Sequence, residues 1–420
     1  MGAKAQPQPA DRPATPRPGA HRPTRIFLTV LLTLVVLLLA SMVADRVLPV
    51  ADRLLAGAGL RLDRPTRLAL PPNLDTVRDD FEFRYTIRTN RRGLRAPDVA
   101  PVASPETRRI VFLGDGQTFG VGVEAEQTFA ALLETQLAGV QTVNCGRPHA
   151  HTLAQARILY HLGLRYSPEL VVMCVSADDL ADMPPAEIKD PYELKAPPRT
   201  LGGALWPNLT AARRAAKQRE KYTAAREPYD FTADVEQKAV NKKIADSAIQ
   251  VWKRAAGRHA DLIEAAGRRR FDGNVMAFGL LWPLCWPDRL DLAANWTEKR
   301  WRRLRRALDL VAAETSHADI RLAVAFIPAG VQYDPQRHEW LRGLGYRMAR
   351  STLTETSRFQ IALGRWCGDQ GIRFLDLTPA FRSHAAPAGL RFTYGDQLTA
   401  EGHKLIVSEL RPWLQACLTP

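Results

Sequence analysis

A three-layer α/β/α sandwich around a parallel sheet, joined to an N-terminal transmembrane helix and a helical insertion, is the fold that the 420-residue sequence predicts. Three observations lead there. Short apolar runs, RRIVFLGD (108–115), VQTVNC (140–145) and ELVVMCV (169–175), alternate with helical patterns, the rhythm of parallel strands buried on both faces and joined by right-handed crossovers. Nineteen residues from Ile26 to Ala44 carry no charge, which is long enough to cross a bilayer. After Leu180 the strand rhythm lapses into Ala-, Lys- and Arg-rich sequence, and it resumes only near residue 320.

Each segment follows from its composition. Residues 1–25 are basic, Pro-rich and poor in apolar side chains, so burial cannot offset their ordering entropy and a disordered tail is expected. Residues 26–44 read as an uncleaved signal anchor, because a cut after Ala44 would put the bulky Met42 where a small residue is needed. Five basic residues precede the span and Arg46, Arg53, Arg61 and Arg64 follow it, so flanking charge barely sets its orientation. A large domain after a short tail places the tail inside and the domain outside the cell membrane.

Residues 45–105 form a lead-in, with an amphipathic stretch from Val47 to Leu62, a Pro-rich turn and a strand in FEFRYTIRTN (81–90). Residues 106–183 are the first half of the sandwich, with helices in FAALLETQLAG (129–139), stopped at Gly139, and from Leu153 to Leu164. Residues 184–300 read as an insertion or lid, helical from about Pro184 to Arg270. Its apolar GNVMAFGLLWPLCWP (273–287) is expected to pack the insertion on the sheet, with the floor of a groove as the alternative. Residues 301–420 complete the sandwich with IRLAVAFIP (320–328), GIRFLDL (371–377) and a closing helix from Ala400 to Leu414.

Hydrophobic residues at 46% and charged residues at 24% are ordinary for a globular chain, which excludes wholesale disorder and a polytopic membrane protein. The formal charge of +14 favours anionic surroundings such as lipid headgroups, acidic envelope polymers or nucleic acid, among which charge alone does not distinguish. No nucleic-acid module is recognisable, and the Arg-rich stretch from Lys299 to Arg306 reads as a solvated helix face. Five cysteines, odd in number and without a CxxC pair, read as buried free thiols, although the sheet would bring Cys145 and Cys174 near one another.

FLGDGQTFG (112–120) sits where a parallel strand turns into a helix, the place where backbone amides can stabilise a developing oxyanion. Together with VNCGRPHAHT (143–152), VVMCVSADDL (171–180) and GDQLTAEGH (395–403), in that order, it resembles the four signature blocks of the SGNH (GDSL-type) hydrolases, a superfamily of esterases and acyltransferases. NRRGLR (90–95) is similar to the lead-in of bacterial envelope members that modify polysaccharides. The resemblance covers about residues 90–180 and 320–415, and it implies the SGNH/flavodoxin-like form of the sandwich.

At the positions that carry catalysis in that family, this chain has other groups. Gly116 stands at the nucleophilic serine and offers no atom for an acyl intermediate. His149 replaces the glycine whose amide completes the oxyanion hole, and Asp178 replaces the asparagine that donates to it, setting an acceptor-only carboxylate where negative charge would develop. Aligned on the shared Leu-x-Ala-Glu-Gly-His tail, Gly395 takes the place of the orienting Asp and Gln397 that of the general-base His, and Gln cannot take a proton at neutral pH.

The resemblance thus implies a non-catalytic member, with Asp115, Gln117, His149, His151, Asp178 and Asp396 as pocket candidates and no cofactor. Its partners would be the membrane, through one helix, and an envelope glycan or a membrane acyltransferase engaged in polysaccharide acetylation. Two alternatives stay open. An active esterase or O-acyltransferase could use non-standard residues, although Ser104, Ser167 and Ser176 lie outside the elbow; or a metal could be held by the His/Asp set, chiefly His149, His151 and Asp178.

Overall fold

The computed structural model describes residues 22–47, 68–181 and 227–419, except 102, 103, 105 and 293, together with 205, 206, 209, 210 and 213. Residues 22–25 of the expected tail are helical; the rest of it and most of the stretch from Val47 to Leu62 lie outside the described residues, as does most of the insertion before residue 227.

Strands β3 (Arg108–Leu113), β4 (Val140–Asn144), β5 (Leu170–Ser176), β6 (Arg321–Ile327) and β7 (Arg373–Asp376) form one parallel sheet in the order β4-β3-β5-β6-β7. A β-hairpin of β1 (Asp75–Asp79) and β2 (Arg84–Arg88) lies outside it. Parallel strands covered on both faces need apolar side chains on both sides, which is why the sequence shows continuous runs instead of alternation. β5 is buried along its whole length.

The period-two projection of each strand divides its side chains between two cores. Val111, Leu113, Val171, Met173, Val175, Val324 and Phe326 pack with helices α4 (Thr152–His161), α11 (Asn295–His317) and α13 (Arg358–Asp369). The residues between them, Ile110, Phe112, Val172, Cys174, Ala323 and Ala325, pack with α3 (Phe129–Gln136), α14 (Thr378–Ser383) and α15 (Ala400–Leu418). The result is the three-layer sandwich expected, and its strand order is the flavodoxin-like one. Cys145 and Cys174 are free and buried, as are the other three cysteines.

Local signals set most boundaries. Thr128 caps α3 by accepting from the amide of Ala131, and Gly139 takes φ +70° just before β4. The helix expected from Leu153 to Leu164 ends as an α-helix at His161 and continues as a 3₁₀ turn from Gly163 to Tyr166. The strand expected over 81–90 narrows to β2, because its first residues form the hairpin turn.

The described part of the insertion is helical: α6 (Phe231–Asn241), α7 (Asp246–Ala256), α8 (Ala260–Gly267), α9 (Asn274–Leu281) and α10 (Cys285–Leu290). These helices share a core of their own, in which Met276, Leu280 and Trp286 meet Val331, Leu341 and Leu344 of the segment after β6. The apolar 273–287 stretch therefore packs the insertion. Helix α1 (Arg22–Val47) contains an apolar window from Ile26 to Asp45, none of it buried by the described residues, which is long enough to cross a membrane.

Arg95 fastens the lead-in to the sandwich. Its guanidinium donates to the carbonyls of Phe119 (3.1 Å), Gly120 (2.6 Å), Thr86 (2.9 Å) and Val123 (2.6 Å), and it lies against the rings of Tyr85 and Phe119. Arg95→Met keeps much of the stem volume and leaves these carbonyls without a donor, so it should lower the unfolding free energy by about 2–4 kcal/mol in urea titrations. Arg95→Lys should recover less than half, since one ammonium cannot span the fork.

Candidate functional site

In this strand order the switch point lies between β3 and β5, and the crevice outside their carboxyl ends is where such sheets bind ligands. β3 delivers Gly114, Asp115 and α2 (Gly116–Phe119) to it, while β5 delivers Ser176 and α5 (Ala177–Ala181). From the far end of the chain, the loop between Arg391 and Leu398 closes over α2.

Gly116 and Gln397 meet there. A Cβ built on Gly116 would stand 3.3 Å from Gln397 Oε1 and 3.7 Å from its Nε2, so the two positions that the family resemblance gives to nucleophile and base face one another across 280 residues of chain. Neither has the required group.

Asp115 caps α2, its Oδ1 accepting the Gln117 amide at 2.8 Å, while Ser176 Oγ donates to its Oδ2 at 3.3 Å. Burial pushes its carboxyl up to about 6, and the nearby Asp178 charge adds to this against the pull of the Gln117 amide. Ser176 stands at a strand end, as a nucleophile would, but it is 4% exposed and its hydroxyl partner is a carboxyl instead of an imidazole.

The other candidates take structural work. Asp178 pairs with Arg289 of α10 at 2.6 Å, so the carboxylate that was expected to stand alone at the oxyanion position carries a cationic partner from the insertion. Arg289 in turn lies over the rings of Trp282 and Trp286. His149 is exposed and adopts φ +60°, a left-handed conformation that favours glycine, the residue the family resemblance places there. His151 caps α4 through Nδ1, which accepts the Ala154 amide at 3.2 Å; burial and the neighbouring Arg157 and Arg147 lower its pKa.

Gln117 is buried and accepts from Arg391 Nη2 at 2.9 Å. Asp396 accepts the Gly330 amide at 3.1 Å and lies between two buried arginines, Arg337 at 3.3 Å and Arg391 at 3.8 Å, so it anchors the loop and cannot orient a base. The space beside Gly395 holds Glu82 of the β1–β2 turn. Its Oε2 lies 3.1 Å from where a Cβ on Gly395 would be, and its two oxygens accept the amides of Tyr394 and Gly395 at 2.8 and 2.5 Å.

His151 and Asp178 are thus engaged separately while His149 is exposed, and among the described residues no group of three or more His, Cys, Asp or Glu could hold a metal ion. Sequence reasoning missed Glu82, Arg289, Arg337 and Arg391. Each reaches the site from a distant segment and stands in no pattern of its own; the one available signal was a carboxylate among the aromatics of FEFRY (81–85).

No family model and no curated protein matches this chain. Among solved structures it is similar to a lipase/acylhydrolase from Enterococcus faecalis, with 12% identity over 75% of this chain and 98% of that one, TM-score 0.35. An esterase from Pseudoalteromonas sp. aligns with 10% identity over 74% and 98%, TM-score 0.33. A protein from Desulfitobacterium hafniense DCB-2 assigned to the lipolytic G-D-S-L family aligns with 11% identity over 73% and 99%, TM-score 0.34.

Asp115 supplies a measurable consequence. Its folded pKa lies above the unfolded value of 3.8, so the cost of burying its charge is absent below pH 4, grows through the interval and is complete above about pH 6. Asp115→Asn keeps an acceptor for the Gln117 amide. Relative to the natural chain, it should gain unfolding free energy between pH 4 and 6, by about 3 kcal/mol at most. A difference that stays flat from pH 4 to 7 in urea titrations would contradict the buried-acid assignment.

Proposed function

We propose that this chain is a membrane-anchored, extracytoplasmic relative of the SGNH hydrolases that has lost catalysis and serves as a binding or accessory module in the modification of cell-envelope glycans. One observation carries the reading: the two positions that would hold nucleophile and base face one another at the strand ends and are Gly116 and Gln397. Acyl transfer needs a nucleophile and a group to take its proton, and this pair supplies neither.

The surroundings support the same reading. An oxyanion position with a carboxylate, even one paired with Arg289, lacks the neutral amide donor that stabilises developing negative charge. The apolar helix supports the anchor, and the basic body suits an acidic envelope surface. The glycan assignment rests on the resemblance of NRRGLR and the four blocks to envelope members of the family.

Full-length protein in detergent should turn over p-nitrophenyl acetate no faster than a boiled control. Gly116→Ser with Gln397→His should also stay within about tenfold of that background, because Gly395, His149 and Asp178 are unchanged. Retained binding predicts that an acetylated xylo-oligosaccharide raises the unfolding temperature while its esters stay intact. Esterase activity of the natural chain roughly a hundredfold above control would overturn the reading.

A further inference from the structure

The basic stretch at the start of α11 borders a cleft. Six cations, Lys299, Arg300, Arg302, Arg303, Arg305 and Arg306, stand there against one acid, Glu298. Lys299, Arg302 and Arg306 recur at spacings of three and four, so they share one exposed face of the helix. Between this helix and α13 lies a cleft of about 200 Å³, lined chiefly by Trp301, Arg305, Arg365, Trp366, Asp369 and Gln370. Its indole floor is held in place: Trp366 Nε1 donates to Asp309 Oδ1 at 2.8 Å, and the Trp301 ring meets that of Phe359 edge to face, with centroids 6.0 Å apart.

We infer that this face binds an acidic polysaccharide, a chain with a carboxylate on each sugar, one ring of which seats against Trp301 between Arg305 and Arg365. Three features select that chemistry. An indole offers an apolar surface to the C–H side of a pyranose. Guanidiniums pair with carboxylates, and Lys299, Arg302, Arg303 and Arg365 form no ion pair with any described residue, which leaves their charge to a ligand. Asp369 and Gln370 add acceptors for sugar hydroxyls, and a carboxylate at the rim disfavours the unbroken row of phosphates that a nucleic acid or an anionic bilayer presents.

Size and position agree. The cleft is smaller than the roughly 300–1,000 Å³ of sites that enclose a drug-sized molecule, so it suits one ring of a longer chain whose neighbours lie along the basic face. Arg300 of the same helix lies over the Trp282 ring at 5.7 Å, and Arg289, which pairs with Asp178 at the mouth of the crevice, lies over that ring at 5.6 Å. The surface therefore continues from the crevice onto α11. A binding face of this kind rests on the proposed reading of an envelope-glycan module, and it adds the charge of the glycan and a second place where it is held.

The test titrates oligogalacturonate into the full-length protein in uncharged detergent and reads affinity by calorimetry. Binding should weaken with added salt, and a neutral galacto-oligosaccharide of the same length should bind about tenfold more weakly. Arg305→Gln with Arg365→Gln should cost about tenfold in affinity, as should Trp301→Leu, whereas Arg84→Gln with Arg88→Gln on the exposed hairpin should cost less than about twofold. Arg305 and Arg365 are exposed, so replacing them should leave the unfolding temperature unchanged.

Equal losses in the cleft and hairpin variants would reduce the binding to net charge and overturn the inference, as would unchanged affinity in the cleft variants. Tighter binding of oligothymidylate or of phosphatidylglycerol vesicles through Arg305 and Arg365 would assign the face to phosphates, which also overturns it. The crevice is read separately, by the shift in unfolding temperature with acetylated xylo-oligosaccharide, and that shift should survive in the arginine variant. A natural chain that shows the shift but ignores oligogalacturonate overturns the α11–α13 face alone. Binding of oligogalacturonate without the shift overturns the crevice reading and leaves this face standing.

Discussion

A guanidinium buried at the carboxyl ends of the strands holds the two halves of the site together. Arg391, 4% exposed, donates to Gln117 Oε1 on α2, to the carbonyl of Pro328 at the end of β6 and to the carbonyl of Asp396 in its own loop. Arg337, equally buried, donates to the carbonyls of Phe392, Thr393 and Tyr394 and shares the Asp396 carboxylate. Two cations in a dry interior stand only because a carboxylate and a ring of carbonyls answer them, and losing one partner would strand the rest. The apposition of Gly116 and Gln397 depends on this network, since nothing else described ties the last loop to α2 so directly.

The same network explains what the sequence could and could not say. β3, β5 and β6 were legible because burial on both faces writes a continuous apolar run, and α3 because capping and periodicity agree at Thr128 and Gly139. The family blocks were legible as ordered islands, and the expected meeting of positions 116 and 397 is a long-range consequence of their order. Arg391, Arg337 and Glu82 were invisible because a buried ion network has no period: its members are selected by where the folded chain brings them. Asp178 shows the cost of reading charge locally. By itself it looks like a repulsive carboxylate, and only the folded insertion supplies Arg289.

The polar residues around the crevice have structural roles. His149 accepts a backbone conformation that a glycine would take without strain, and His151 and Asp115 cap helices. Asp178 fastens α10, and Glu82 occupies the volume that a side chain at position 395 would need. An enzyme holds polar groups in reserve for its transition state, often at a cost in stability. Here Asp115, His151, Asp178 and Asp396 carry structural contacts within the protein. Placing a hydroxyl at position 116 and an imidazole at 397 would therefore leave these structural contacts in the way of an acyl-transfer site.

The lead-in belongs to that argument. Phe119, the last residue of α2, packs with Leu70, Leu74, Tyr85 and Ile87 of the hairpin region, and Arg95 clamps the same junction by donating to the Phe119 and Gly120 carbonyls. Glu82 then reaches from the hairpin turn to the amides of Tyr394 and Gly395. Residues 68–95 thus form one wall of the crevice before the chain enters the sheet. A spacer could be lengthened without effect on the site; a wall cannot, because moving it withdraws Glu82 from the loop that carries Gln397. The geometry of the crevice is consequently set in part by the stretch that precedes the sheet, and any ligand entering between β3 and β5 meets residues that this stretch positions.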